Sequence, residues 1–456
     1  MTATVGFDSE HLAELRAGFA GRVLEPSDDG YDEARRIHNA LIDRRPALIA
    51  RCQTASDIAD AVKFARASGL DISVRGGGHN VAGRAVGDGA LMIDLSQLKG
   101  IHVDPVTKRA RAQGGVIWRE LNREAGAYGL AVTGGAISTT GIAGYTLGGG
   151  LGWAMAKYGL AADNLTGAEL VTADGSILNV TQESDAELLW GLRGGGGNFG
   201  VVASFEYQLH DLPLITGGLI VHPFDVGRDL LRWYRDAVTG LSDDASVFAV
   251  LAHAPDGSGL KISALAVFHA GTEEEAQRDL EPFLSWGEPI MVEVHRMPYP
   301  VMNTLLDDGY PWGACSYWLS SFTTGLDDGL IDAAWERFEK TPSPMNAILI
   351  EHFHGAVCRV PVDATAVPHR EEGFNLVMPS TWLDPVDTEA NVAWTKETHA
   401  ALAEHLVARR WLNYLGDDQG DDAIRGAYGP NYDRLVALKR RVDPDNVFHH
   451  NHNIVP

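Results

Sequence analysis

The chain is poor in cysteine, poor in positive charge, and has no long apolar run. Its 456 residues include only three cysteines, Cys52, Cys315 and Cys358, widely separated and without a CxxC pair. That pattern suits reduced thiols in a cytoplasmic setting better than a disulfide framework or a zinc site, so no metal centre is expected. Lys and Arg number 37 against 61 Asp and Glu, for a net charge of −24. The densest basic stretch, Lys439-Arg440-Arg441, is too short to offset this. Such a surface repels phosphate backbones, so nucleic acid is not an expected partner. No apolar stretch approaches the roughly 20 residues that span a bilayer, so no membrane association is expected either. The opening MTATVGFDSEHLAELRAGF mixes acids into an amphipathic pattern. It lacks the basic start and apolar run of a secretory signal. A GxxxxGK[ST] phosphate loop is also missing.

What the chain does have is size and clustered glycine. Its length exceeds what one compact core usually organises, and 45 % hydrophobic residues can fill two. The 51 glycines gather in runs at 76–78, 148–150 and 194–197. Packed cores do not need such runs, whereas loops that meet a ligand with bare backbone do. RPALIARC reads as a short strand. Thr54 with Asp57 resembles a capping box opening a helix whose apolar face carries Ile58, Val62, Phe64 and Ala65. DISVRGG and ALMIDL follow as strands, so the first glycine run lies between β segments. IHVDPVTKRARAQGG reads as a hairpin turning at Asp104-Pro105, followed by a helix from Val116 to about Gly126. ELVTADGSILNV is a second hairpin, turning at Ala173-Asp174-Gly175. DAELLWGL then ends a helix in the third glycine run, and VVASFEYQLH is a strand.

After about Leu212 the pattern changes to longer alternating segments: LIVHPF, SVFAVLAHA, LKISALAVFHAG, MVEVHRM and NAILIEHF. Helices such as TEEEAQRDLEPFLSWG separate some of them. This predicts a second α+β domain with an antiparallel sheet. The expected division is 1–212, 213–410 and a closing segment 411–456.

Gly195-x-Gly197-x-x-Gly200 matches the dinucleotide fingerprint GxGxxG literally. The fingerprint requires a strand before it and a helix after it, because the pyrophosphate rests on that helix N-terminus. Here the order is reversed, which argues against a Rossmann fold. A glycine run between strands can still bind a dinucleotide, because successive amide N–H groups form an anion nest. Arg75-Gly76-Gly77-Gly78-His79-Asn80 is such a nest with a histidine at its end. Read alone, His79 is an ordinary loop histidine or a neutral imidazole able to act as a nucleophile toward an electrophilic cofactor.

Four separated stretches carry a resemblance. VRGGGHNVAG, GGAISTTGIAGYTLGGGLGWAMAKYGLAADNLTGAELVTADG, LLWGLRGGGGNFGVV and YGPNYDRLVALKRRVDPDNVFHHNHNIVP together resemble the berberine bridge enzyme-like branch of the vanillyl-alcohol oxidase superfamily. The organisation is similar to that of its bacterial hydroxynicotine oxidase-like members. The resemblance implies an α+β fold: a two-subdomain FAD-binding domain of the vanillyl-alcohol oxidase type, plus a substrate domain whose antiparallel sheet is covered by helices. It implies FAD as cofactor, joined to His79 by an 8α-histidyl bond. It places further FAD contacts at Arg75, Gly76, Gly77, Gly78, Asn80 and Gly83. In the second motif these are Thr133, Gly134, Ile137, Ser138, Gly141, Gly144, Gly149, Gly150 and Asn164. Val201, Asn451 and Asn453 complete the set.

There is one departure. Many relatives attach FAD a second time through a cysteine, four residues before the glycine matching Gly141, and Ile137 stands there. A single covalent link follows, and a smaller or less polar substrate than an oligosaccharide. RRWLNYLGDD resembles the family's Asn-Tyr motif, whose tyrosine, here Tyr414, acts as catalytic base or packs its ring on the flavin. A phenol titrates near 10 and needs a nearby cation or hydrogen-bond donors to serve at neutral pH. Glu351 lies on a strand of the substrate domain, with His352 and His354 on the opposite face by alternation. Either face can be the inner one, and a solvated sheet edge is an equal alternative. Trp312, Tyr317 and Trp318 are candidates for an aromatic pocket or for core. The spacing of His449, His450 and His452 suits neither a helix nor a zinc module, so His452 reads as a pocket residue. The implied activity is oxidation of a small-molecule substrate at a C–H beside a hydroxyl or amine, with O2 reduced to hydrogen peroxide. The alternatives are a flavin oxygenase or oxidative cyclase on the same scaffold, or a flavin-bearing binding protein without turnover.

Overall fold

The computed structural model describes residues 9–254 and 256–456. The first eight residues of the opening stretch lie outside the described residues. Three larger sheets and one two-stranded pair organise the described residues. The first joins β1 (Arg22–Leu24), β2 (Leu48–Arg51), β3 (Ile72–Arg75) and β4 (Leu91–Asp94) in the order β1-β2-β4-β3. β2 and β3 both run parallel to β4, and β1 closes one edge antiparallel to β2. Parallel pairing needs a crossover, and the helix Ala55–Ser68 supplies it. The expected capping box of Thr54 and Asp57 opens this helix, and Gly69, at φ 65°, ends it.

The second sheet is antiparallel. It contains β5 (Ile101–Asp104), β6 (Arg109–Gln113), β8 (Leu165–Val171), β9 (Ile177–Thr181) and β10 (Val201–Gln208), in the order β5-β6-β10-β8-β9. Both predicted hairpins are present as β5–β6 and β8–β9. Short β7 (Leu130–Ala131) and β11 (His210–Asp211) pair separately.

The third sheet has seven antiparallel strands: β12 (Ile215–Pro223), β13 (Ala245–His253), β14 (Lys261–His269), β15 (Met291–Met297), β16 (Cys315–Thr323), β17 (Ile348–Phe353) and β18 (Gly373–Trp382). Their order is β15-β12-β14-β13-β17-β18-β16. Alternation gives each strand two destinations. Val247, Ala249, Leu251, Ile348 and Ile350 join a core with the helices Gly227–Ala237, Asp328–Glu339 and Thr388–Leu402. Phe248, Ala266, Phe322 and Phe353 point the other way. They pack on Leu151, Trp153 and Met155 of the second glycine-rich segment and on Trp411. One face of the sheet is therefore roofed by helices, and the other lies against the N-terminal half. No helix of the described residues is long and apolar enough to cross a membrane.

Candidate active site

A large cavity lies where the three glycine segments meet the seven-stranded sheet. It encloses about 1860 Å³ of space free of protein atoms, its mouth included. Gly76–Val81, Gly135–Leu151 and Gly196–Val202 contribute to its wall, as do Tyr310 and Trp318 from the sheet side and Trp411–Tyr414 and His450–His452 from the closing segment. The first two loops touch backbone to backbone. A Cβ on Gly77 would overlap the backbone of Gly141, and a Cβ on Gly141 would overlap Gly77. Side chains on either would force the loops apart. Gly144 and Gly197 differ, since a Cβ there meets nothing and would stand in open space at the cavity wall.

The third glycine run follows the helix Ala186–Leu192 and leads into β10, the reverse of the dinucleotide fingerprint. The first run continues β3. Among the described residues, the amide N–H groups of Gly76 to Asn80 donate to no protein acceptor, so they remain available to an anion. Asn451 donates to the Gly197 carbonyl at 3.0 Å, tying the closing segment to the third run, while its Oδ1 is buried without a partner. His452 lines the cavity with an unpartnered Nε2. Bare glycine surface, free amides and orphaned polar atoms around one elongated cavity fit a dinucleotide such as FAD.

His79 stands at the cavity wall. Its Nε2 lies 3.1 Å from the Thr139 hydroxyl and its Nδ1 3.5 Å from that of Thr140. Desolvation, helped by neighbouring His38, holds its pKa well below the usual histidine value. The ring is thus neutral at physiological pH and keeps a lone pair.

Tyr414 ends the short turn Leu412–Tyr414 and faces the same cavity. Neither the cation nor the hydrogen-bond donors that would lower its pKa are among the described groups acting on it. Its hydroxyl instead donates to Glu351 Oε1 at 3.0 Å, and burial, reinforced by that carboxylate, pushes the phenol well above 10. Glu351 sits on β17, an interior strand, and is 4 % exposed, so the solvated-edge alternative is corrected. Its face is the one turned toward the N-terminal half, shared with Phe353. Asn375, its register partner on β18, donates to Oε2 at 2.7 Å. Burial outweighs these two donors and pushes the carboxyl up to about 7. His352 and His354 lie on the far side of the sheet, where they line a separate hollow with Arg235 and Arg359.

Of the remaining expected contacts, Gly76, Gly77, Gly78, Asn80, Ile137, Gly141, Gly144, Val201 and Asn451 line the cavity. Others stand behind its wall. The Arg75 guanidinium donates to the Ala34 carbonyl at 2.9 Å and lies 3.8 Å from buried Asp94. Gly83 packs on Ile42 and Gly134 on Trp118. Thr133 donates to the Gly159 carbonyl at 2.7 Å, and Ser138 is held by Asp307. Gly149 lies against Trp411 and Gly150 against Tyr145, both in the left-handed region at φ 112° and 76°. Asn164 bridges the Tyr158 and Leu160 carbonyls, and Asn453 keeps a buried, unpartnered Oδ1. Trp318 lines the cavity, whereas Trp312 is half exposed with its ring set edge-on to His79, and Tyr317 points to Asp418. Among the described residues no cluster of His, Cys, Asp or Glu could hold a metal, and the three cysteines are unpaired.

Sequence reasoning missed His38, Asn39, Tyr145, Tyr310, Asn413 and Tyr428 on the wall. Tyr145 and Tyr428 lie inside two of the resembling stretches and Asn413 stands beside Tyr414, whereas His38, Asn39 and Tyr310 carried no signal. The Asn413 side chain donates to the Gly144 and Tyr145 carbonyls, both at 3.2 Å, fixing the turn that presents Tyr414.

Comparison with known proteins gives a consistent picture. Residues 46–181 match the family described as FAD binding domain, and residues 411–455 match berberine and berberine like. The (R)-6-hydroxynicotine oxidase of Paenarthrobacter nicotinovorans is 32 % identical over 450 residues, covering 96 % of this chain and 97 % of that one. An FAD-linked oxidoreductase of Dictyostelium discoideum is 30 % identical over 97 % of this chain and 96 % of its own length. The crystal structure of 6-hydroxy-D-nicotine oxidase from Arthrobacter nicotinovorans superposes with a TM-score of 0.87 at 30 % identity, covering 96 % and 98 % of the two chains. A berberine bridge enzyme variant in complex with (S)-reticuline shares the fold, with a TM-score of 0.89 at 21 % identity and coverage of 98 % and 99 %.

Proposed function

Because the chain belongs to the berberine bridge enzyme-like FAD-linked oxidoreductases, and is therefore an FAD-dependent enzyme, we propose that it is an oxidase of a small organic molecule, acting at a C–H beside a hydroxyl or amine. Bound FAD supplies the hydride acceptor, and its reoxidation by dioxygen gives hydrogen peroxide. His79 carries this cofactor through a histidyl bond to the 8α carbon. Its neutral imidazole is the competent form for that bond. Ile137 stands where a second anchor would need a cysteine, so His79 is the sole covalent attachment.

One observation carries the catalytic reading: the hydrogen bond from Tyr414, on the cavity wall, to Glu351 buried behind it. Tyr414 is a poor base by itself, since its surroundings push its pKa upward. Glu351, at about 7, is matched to physiological pH. A substrate hydroxyl or amine passes its proton to the Tyr414 oxygen as the Tyr414 proton moves to Glu351 Oε1. Tyr414 touches the substrate, and Glu351 stores the proton. Trp318 and Tyr310 supply apolar walls at that end, suited to a small, weakly polar substrate.

Anaerobic mixing with a panel of amines, alcohols and sugars tests the assignment. A substrate should bleach the flavin absorbance, and air should restore it with release of one peroxide per substrate oxidised. Bleaching that air does not reverse would make the protein a dehydrogenase instead.

A further inference from the structure

We propose that His38 is a positioning residue for covalent attachment of the flavin, holding the His79 imidazole fixed and uncharged while the bond forms. The inference rests on the reading of His79 as the attachment point. The two rings stack face to face, with centroids 3.9 Å apart and planes inclined by 28°. His38 is itself immobilised from three sides. Its N–H donates to the Gly78 carbonyl at 3.0 Å, its carbonyl accepts from the Gly313 N–H at 3.2 Å, and its Nε2 lies 3.1 Å from the Tyr310 carbonyl. A carbonyl can only accept, so Nε2 carries the proton. Burial lowers the His38 pKa, leaving this ring neutral with Nε2 protonated. Trp312 closes the edge of the stack, 5.6 Å from His38 and 6.4 Å from His79. Both histidines line the cavity.

The chemistry explains why such a plate matters. The bond formed joins an imidazole nitrogen of His79 to the 8α carbon. The bonds broken are one C–H of that methyl group and the remaining imidazole N–H. The electron pair of the C–H bond stays on the isoalloxazine, which is reduced and takes up the released protons. The cofactor is thus its own oxidant, and dioxygen reoxidises it afterwards. A protonated His79 has no lone pair and cannot attack. A second imidazole stacked on it opposes a charge on either ring, and the pinned plate fixes the direction of the lone pair. Thr139 and Thr140 hold the ring in its plane, while His38 holds the plane itself.

The test starts from apoprotein made under riboflavin limitation and mixed with saturating FAD at several pH values. Acid-precipitable flavin and peptide mass follow the attachment, and gel filtration before acid treatment measures total bound FAD. Wild-type protein should attach flavin at a rate that stays flat as pH falls to about 6.5, the ordinary histidine value. His38→Ala should bind FAD but attach it about a hundredfold more slowly, the cost of a misplaced reacting group. His38→Phe keeps a flat plate without the second imidazole. It should attach near the wild-type rate at pH 8 but lose rate at higher pH than wild type as acid is added. Attachment in His38→Ala at the wild-type rate, or an acid limb that neither variant moves, overturns the inference. Failure of the underlying reading looks different: wild type would hold no acid-stable flavin, or His79→Ala would retain it.

Discussion

The two ends of the cavity are built on different principles. Around the stacked rings of His38 and His79, the His79 end is made of backbone. Gly77 and Gly141 are defined by what they lack, and the anion nest consists of amides that any sequence would carry. The Glu351 end is made of side chains drawn from three distant places: Glu351 on β17, Asn375 on β18 and Tyr414 in the closing segment. The first end needs space and local conformation. The second needs a strand register and a chain return, so that one carboxyl is buried yet doubly hydrogen-bonded. On the proposed function, binding of a large cofactor is separated from tuning of a single proton acceptor, and the two should fail differently under mutation.

The largest expected effect falls on the side-chain end. Glu351→Gln keeps the shape and a hydrogen bond to Tyr414 but removes the proton acceptor. Turnover should fall by about 10²- to 10⁴-fold, the usual worth of a positioned base. Flavin content should be unchanged, because Glu351 is not part of the cavity wall. The sign of the pH dependence follows from the carboxyl near 7. Below that value Glu351 is protonated and cannot accept, so wild-type turnover rises as pH increases through about 7. The variant should lose that limb. If it keeps both rate and limb, the relay is wrong and another group takes the proton.

The backbone end should respond through stability instead. Lys439 and Asp443 form an ion pair in which both side chains are wholly buried. The Lys439 ammonium also donates to the Asn198 carbonyl at 2.8 Å and the Phe448 carbonyl at 2.9 Å. It thus joins the third glycine run to the closing segment that presents Asn451 and His452. Lys439→Met leaves Asp443 charged and buried, at a cost of about 3–5 kcal/mol. Thermal unfolding should shift down, and FAD retention should drop with it. Lys439→Met with Asp443→Leu should recover part of the loss, since no lone charge remains. Equal thermal stability of Lys439→Met and wild type would show that the closing segment is held elsewhere.

This contrast also accounts for what the sequence made legible. The His79 end is written in contiguous stretches, because a loop that must be bare shows as a glycine run. The helix-before, strand-after context of residues 195–200 was enough to reject a Rossmann loop there, and the strand context of residues 76–78 left them as a nest. The fold class was legible in the longer strand-like segments that form β12, β13, β14, β15 and β17. β18 is buried along its whole length, so alternation does not mark it. Because β18 carries Asn375, the partner of Glu351 was hidden too. The face of Glu351 was half legible: parity separates it from Ile348 and Ile350, but not until helices are known to cover those residues. His38 left no signal, because its role depends on a ring stack with a residue 41 positions away.

The smallest expected effect sharpens the comparison most, because it tunes the acceptor without removing it. Asn375 is wholly buried, and its amide donates to Glu351 Oε2. That bond favours the carboxylate, opposing the burial that raises its pKa. Asn375→Leu keeps the bulk and removes the donor. A hydrogen bond to a charged group contributes roughly 1.5 kcal/mol, so the carboxyl should rise by about one pH unit. The expected result is a turnover limb moved from near 7 to higher pH, with the rate at high pH little changed and flavin content intact. A purely structural role for Asn375 would lower the rate at every pH and leave the limb in place. A limb that moves alone shows that the sheet register sets the pH at which this enzyme can work.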